Sequence, residues 1–320
     1  MCFLGSKLEE WKLVHDVIVV GAGPTGLAAG IQLGIFGLDT LILEAKKETG
    51  GIAAKASAFE NYPGFPDKIS GKELMKRMTR QAINSGVKLR TSEEVVGLSL
   101  GGRDKVVKTN HDVYSAKALI LACGSGMKGL GIKWETWFGG GVAYCLECGE
   151  QFFRGKDVVV VGNVREAVEE AARLSKTAAT TRLVNHANSI SISEQTRKQL
   201  ESKDIQVIED FAGEEISGSP PSKTLMLRSL ENGTTQKLET NIIFVVAGVK
   251  SFVSVMQKAG IKTHRLGCVV VDEFGRTNID GVFAAGSCAS TIKDLVPPCI
   301  GDGATIAIQA RLYISYVSNR

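Results

Sequence analysis

Cys145-Leu146-Glu147-Cys148 sets two thiols apart by two residues. That spacing lets the sulfurs close a strained, reducible disulfide, and neighbouring backbone dipoles stabilise a thiolate. The same pair is compatible with half of a zinc site or with two inert buried cysteines. A zinc site requires two further Cys or His at ligand spacing, whereas His15, His111, His186 and His264 each stand alone. No metal site is predicted, and thiol-disulfide exchange is the chemistry the pair favours. Cys2, Cys123, Cys268, Cys288 and Cys299 are scattered singly, and the odd total of 7 suits a reducing compartment rather than a disulfide framework.

A second constellation is Gly21-Ala22-Gly23-Pro24-Thr25-Gly26, followed 18 residues after Gly26 by Glu44. Gly21 permits a tight turn, Gly23 lets a pyrophosphate approach the backbone without meeting a Cβ, and Gly26 allows close helix-strand contact. The helix opening at this turn presents oriented N–H groups and the positive end of its dipole. Glu44 is placed to accept hydrogen bonds from both ribose hydroxyls. A glycine turn alone is weak evidence; with a strand before it, a helix after it and the acid at this distance, it reads as a dinucleotide site.

The elements that must position these groups come from a duplication. Asp16-Val-Ile-Val-Val-Gly21 recurs as Asp157-Val-Val-Val-Val-Gly162, an offset of 141 residues, and the register holds through Leu33 over Leu174 and Thr40 over Thr181. Each copy reads as a buried β-branched strand, a turn at glycine, an amphipathic helix and a second strand. Further apolar runs at 118–122, 242–247 and 282–285 alternate with helical stretches. The fold class is α/β: a doubly wound architecture built twice, as two Rossmann-like dinucleotide-binding units. In the second copy Gly162, Val164 and Ala167 lie over Gly21, Gly23 and Gly26, and Asn185 lies over Glu44. Val164 puts a β-branched side chain where a pyrophosphate would pass.

Composition narrows the classes. A chain of 320 residues at 44% hydrophobic carries ample material for a core, so disorder and small disulfide scaffolds are excluded. Net charge is only +4, with acids and bases interspersed, so no nucleic-acid patch is expected. The first residues reach Lys7, Glu9 and Glu10 before an apolar core of a signal peptide forms, and no apolar run reaches spanning length. A cytoplasmic protein without membrane insertion is the expectation.

With these features placed, the chain resembles the thioredoxin reductase family of flavoproteins over nearly its whole length. The shared stretches, in order, are Gly21-Ala-Gly-Pro24, Gly50-Gly51, Glu60-Asn-Tyr-Pro-Gly64, Ala122-Cys-Gly124, Gly141-Val-Ala-Tyr-Cys-Leu-Glu-Cys148, Ala167-Val-Glu-Glu-Ala171, Gly281-Val-Phe-Ala-Ala-Gly286 and Gly301-Asp-Gly-Ala304. The resemblance implies a flavin domain of residues 1–121 and 248–320 and an inserted domain of 122–247 that carries the cysteine pair. It implies FAD held by Gly21, Gly23, Pro24, Thr25 and Gly26, with Glu44 on the adenosine ribose. Gly51, Ile52, Asn61, Ala122, Gly286 and Ser287 complete the implied flavin contacts. It also implies a homodimer in which Cys148 faces the flavin, while Cys145 exchanges with a thioredoxin-like or glutaredoxin-like protein or a small dithiol.

The chain departs from the family pattern at four places. Gly149 stands where the family has an Asp after the second cysteine, which leaves Glu150 as the substitute proton donor. Ser287 replaces the Asp of an Ala-Ala-Gly-Asp stretch, and Asp294-Leu295 stands near the place of an Arg-Gln pair. The nicotinamide-dinucleotide signatures become Gly162-Asn-Val-Arg-Glu-Ala167 and Asn185-His-Ala187, without arginines for a 2′-phosphate or an acid for a ribose. NADPH and NADH are therefore both weakly supported as electron donors. Two further readings use the same residues: a flavin-dependent dithiol oxidase passing electrons to oxygen, and a non-catalytic flavin-binding redox sensor.

Overall fold

The structure is a computed structural model and describes residues 14–56, 58–59, 61–124, 130–132, 142–143, 146, 150–218, 221–248, 251–265, 267–289 and 295–318. Its first sheet has seven strands. Strands β1 (Val14–Val20), β2 (Thr40–Leu43) and β3 (Lys88–Arg90) run parallel, with β4 (Val95–Ser99), β5 (Lys105–Thr109) and β6 (Val113–Leu121) completing the order β3-β2-β1-β6-β5-β4. The long strand β6 serves two partners on one edge. Its first half pairs antiparallel with β5, and its last residues, Leu119 to Leu121, pair parallel with a strand from the far end of the chain, Val282–Ala284.

β1 explains why this sheet is covered on both sides. Its alternating side chains divide, Val17 and Val19 to one core and Ile18 and Val20 to the other. On the first side lie α1 (Pro24–Ile35), α2 (Gly71–Asn84) and the C-terminal helix (Val296–Ser318), contributing Leu27, Leu74 and Ile306. Val253 and Met256, from the helix Ser251–Lys258, fill the second side. A strand buried on both faces needs the continuous Val/Ile run seen in the sequence rather than an alternating one.

The second sheet is wholly parallel. It contains β7 (Val142–Ala143), β8 (Asp157–Gly162), β9 (Thr180–Asn185), β10 (Ile205–Ile208) and a later strand, Ile242–Val246, in the order β10-β9-β8-(242–246)-β7. Helices α3 (Glu166–Leu174) and α4 (Glu194–Glu201) belong to this unit. Between β10 and Ile242 the chain makes an antiparallel three-stranded sheet of β11 (Phe211–Ser217), β12 (Lys223–Ser229) and β13 (Thr235–Thr240), which the sequence patterning did not resolve. The strand 242–246 is therefore β14, and Val282–Ala284 is β15. The helices 251–258 and 296–318 are α5 and α6.

The duplication is visible in strand register. Val17 pairs with Thr40 and Val20 with Leu43; 141 residues later, Val158 pairs with Thr181 and Val161 with Val184. The second βαβ unit lies within the chain that builds the first sheet, since strands of that sheet come from both sides of it. Among the described residues no helix is long and apolar enough to cross a membrane, and no group of three or more His, Cys, Asp or Glu is arranged to hold a metal ion.

Candidate functional site

The first nucleotide turn joins the end of β1 to α1. Gly21 has φ +105°, and a Cβ there would meet the Ala122 carbonyl oxygen at 2.4 Å, so the turn needs glycine for its conformation and for its contact with β6. At Gly26 a Cβ would lie 1.8 Å from the Gly21 oxygen, which is the close helix-strand contact expected of the third glycine. Gly23 differs from both. Nothing lies within 4 Å of the place its Cβ would take, and its backbone is extended at φ −78°. The turn therefore leaves open space at the start of α1, whose first helical residue is Pro24 and whose first turn has no acidic side chain. A pyrophosphate fits such a place, since free amides and the dipole face it without a competing anion.

Glu44 sits beside this space, 8% exposed. Its carboxylate accepts from the Ala22 amide at 2.8 Å and from the Lys46 amide at 2.9 Å, which fixes its orientation while leaving lone pairs for ribose hydroxyls. The neighbouring backbone is pinned as well, with the Glu44 amide donating to the Arg90 carbonyl at 2.8 Å. Gly51 approaches the turn, the place of its Cβ lying 3.6 Å from Gly23 Cα, and the Gly50 amide donates to the Ala22 carbonyl at 2.7 Å.

From the far end of the chain, Gly286, with φ +68°, packs where a Cβ would meet Thr25 Oγ1 at 2.2 Å. Ser287 lies in the same short 3-10 turn and is half-buried. Ala122 is buried behind the turn. Ile52 caps the 3-10 turn Ala53–Lys55 with an exposed side chain. Asn61 is exposed, and no described contact ties it to the glycine turn. Sequence reasoning missed the Ala22 and Lys46 amides, since backbone donors leave no signature in side-chain identity.

The second turn is built differently. In the first copy the Ala22 amide meets an acid; at the repeat-equivalent position the Asn163 amide donates to the Val246 carbonyl at 3.2 Å. Asn185 is buried and consumed by its own loop, its amide nitrogen donating to the Ile190 carbonyl at 2.8 Å and to Glu209 at 3.2 Å, and its oxygen accepting from the Ile190 amide at 2.9 Å. His186 Nδ1 accepts from the Gly213 amide at 3.0 Å. The ring then carries its proton on Nε2, and the Leu130 backbone is its other partner. Burial lowers the His186 pKa, an effect the Leu130 hydrogen bond only partly opposes, so the ring stays neutral. Glu166 and Glu169 occupy the first turn of α3 and place negative charge at its positive end.

Cys145 and Cys148 lie outside the described residues. Their flanks are anchored to the second sheet: β7 ends at Ala143 and pairs with β14, Leu146 is buried, and Glu150 opens the 3-10 turn Glu150–Phe153, whose Phe153 is fully buried.

Comparison with known proteins agrees with this geometry. The model of the pyridine nucleotide-disulphide oxidoreductase family matches residues 15–303. Thioredoxin reductase of Treponema pallidum is 32% identical over 95% of this chain and 99% of its own. Among solved structures, thioredoxin reductase from Giardia duodenalis is similar at TM-score 0.61 and 27% identity, covering 95% of this chain and all of that one. A ferredoxin-flavin thioredoxin reductase from Clostridium acetobutylicum is similar at TM-score 0.54 and 26% identity, covering 97% of this chain and all of that one. With an open glycine turn backed by an acid, a duplicated βαβ core and relatives matched nearly end to end, the chain belongs to the pyridine nucleotide-disulphide oxidoreductase family, in its thioredoxin reductase group.

Proposed function

We propose that this protein is an FAD-dependent thiol-disulfide oxidoreductase of the thioredoxin reductase type, that Cys145 and Cys148 are its dithiol, and that its electrons come from a donor other than NADPH or NADH. The observation carrying the reading is the contrast between the two copies of one turn, the first open and backed by Glu44, the second closed by its own side chains. FAD, when bound at the first turn, would supply two-electron redox chemistry to the dithiol. Its pyrophosphate would be held by the amides following Gly23 and its adenosine ribose by Glu44.

In the dithiol half of the reaction, the Cys145 thiolate attacks one sulfur of a thioredoxin-like protein disulfide. The partner's other sulfur leaves as a thiol, and a mixed disulfide remains. Cys148 attacks Cys145 in turn, so that the partner departs with two thiols and the Cys145–Cys148 disulfide holds the oxidising equivalents. Glu150 is the residue proposed to move the proton. The flavin unit is assigned to residues 1–121 and 248–320 and the inserted unit to 122–247, in keeping with the origin of the two sets of strands. The exposed stripe Ile308, Leu312 and Tyr316 along α6 is the face offered to a second copy in a homodimer. A ferredoxin-type protein is the class of donor we favour, since a ferredoxin-flavin thioredoxin reductase is similar over 97% of this chain.

Anaerobic stopped-flow mixing tests the reading. Dithiothreitol should bleach the flavin of the wild-type protein, and the Cys145→Ser/Cys148→Ser variant should lose this reaction. Equal bleaching rates in both would remove the dithiol from the mechanism.

A further inference from the structure

Two of the singly scattered cysteines meet in space. Cys123 follows the end of β6, and Cys288 closes the 3-10 turn that follows β15. Because Leu121 and Ala284 are paired in register on these adjacent parallel strands, the two chain ends leave the sheet side by side. Cys123 lies two residues beyond Leu121, whose carbonyl the Cys288 sulfur faces, and it is the first of the groups that raise the Cys288 thiol pKa. Cys288 is 1% exposed, and its Sγ lies 3.0 Å from the Leu121 carbonyl oxygen and 3.2 Å from that of Ala285. Cys123 is half-buried, and its Cα lies 3.2 Å from the place a Gly21 Cβ would occupy. The pair therefore sits at the end of the first sheet behind the Gly21 turn, and is distant in sequence from Cys145 and Cys148. Both residues stand as thiols.

We propose that Cys123 and Cys288 are a second oxidisable dithiol, converted to a disulfide by a peroxide. Access selects the oxidant. A buried Cys288 behind a half-buried Cys123 is out of reach of a protein disulfide, whereas a two-oxygen molecule needs only the Cys123 sulfur. Cys123 thiolate attacks the O–O bond of hydrogen peroxide, forming an S–O bond and releasing hydroxide, which leaves as water after taking the thiol proton. The Cys288 sulfur then attacks the sulfenic sulfur of Cys123. The S–S bond forms, the S–O bond breaks, and a second water departs. Two thiols and one peroxide thus give one disulfide and two waters.

The order of attack follows from the surroundings. Hydrogen bonding to Cys123 and burial push the Cys288 thiol well above its ordinary pKa, so the half-buried sulfur is the one that meets the oxidant. The carbonyls beside Cys288 keep its sulfur oriented toward β6, where the sulfenic acid forms.

The test uses the full-length protein with Cys145→Ser/Cys148→Ser, so that the known type of dithiol does not contribute. Hydrogen peroxide is added, remaining thiols are alkylated, and a non-reducing tryptic map is recorded. Trypsin places Cys123 on the peptide 118–128, Cys288 on 277–293 and Cys268 on 266–276, each as its single cysteine. The expected product joins 118–128 to 277–293 and is resolved by dithiothreitol. In Cys288→Ser the same treatment should leave Cys123 as a sulfenic acid trapped by dimedone. A map in which Cys123 stays reduced, or is overoxidised or linked to 266–276 without the expected product, overturns the proposal. The same map on the wild-type protein decides the matter if the serine variants fail to fold.

Discussion

Ala22 and Glu44 meet amide to carboxylate at 2.8 Å, while their repeat equivalents Asn163 and Asn185 turn away from each other toward Val246 and Ile190. One hydrogen bond thus separates a turn organised around an acid from a turn organised around its own loop. The acid in the first copy is rigid and has capacity left over. The amide side chain in the second has none, since both its ends are engaged.

NADPH at micromolar concentration should therefore leave the flavin oxidised under anaerobic conditions. His186 offers no cation for a 2′-phosphate while Gly213 holds its Nδ1, and Glu166 repels a pyrophosphate from α3. Loss of a charge-assisted pair alone costs about 1.5–3 kcal/mol, roughly tenfold to a hundredfold in affinity. Rapid bleaching by NADPH would return electron entry to the second turn.

Gly23→Val and Gly26→Val should behave oppositely. A side chain at Gly23 enters open space, so that variant loses flavin absorbance and melts at the temperature of the flavin-free wild-type protein. At Gly26 it meets the Gly21 carbonyl, so that variant is destabilised by about 3 kcal/mol. Thermal unfolding and flavin content on the two proteins check this, and full flavin content in Gly23→Val would mean the pyrophosphate lies elsewhere.

Acid should weaken the inserted unit through His186. The unfolded ring takes a proton as pH falls through about 6.5, whereas the folded ring, its pKa lowered by burial, takes one only further down. Stability is complete above this window and declines below it, by at most about 1.4 kcal/mol per pH unit. Denaturant titrations between pH 7.5 and 5.5 should show a slope that His186→Gln reduces.

Glu170 is fully buried in α3, where its carboxylate accepts from Arg173 at 3.1 Å and lies 3.7 Å from Arg265, which also pairs with Glu169. Removing both arginines takes two cations away from a buried carboxylate. Because each is more than a third exposed, solvent replaces part of what they provide. Arg173→Ala/Arg265→Ala should cost about 1–2 kcal/mol in urea unfolding. Adding Glu170→Gln to that pair should recover most of the loss, and failure to do so would assign the effect to packing.

Glu150→Gln should slow exchange between dithiol and flavin about tenfold. Single-turnover rates at neutral pH measure it; a rate within about a factor of two of wild type points to solvent as the proton source.

The duplication, the parallel strands, the tight turn at Gly21 and the close contact at Gly26 were legible because each depends on residues close in sequence, and Val164 and Asn185 marked the second turn as altered. What closes that turn was not legible. Gly213 reaches His186 from β11, and Val246 reaches Asn163 from β14, both through folding that no spacing rule encodes. Cys123 and Cys288 likewise read as isolated, since β6 and β15 become neighbours only across the inserted unit.

Thr25 is enclosed by residues from the opposite end of the chain, with Gly286 against its hydroxyl and Gly303 of α6 against its carbonyl. A ribosome delivers every strand of the parallel five-stranded sheet, residues 142–246, before β15 and α6 emerge to close around α1. The inserted unit can thus fold vectorially as a contiguous piece, while the flavin turn waits for the last segment to be synthesised. The turn around Thr25 is thus finished only after α6 has been made, and a product truncated before α6 keeps its inserted unit but lacks those closing contacts.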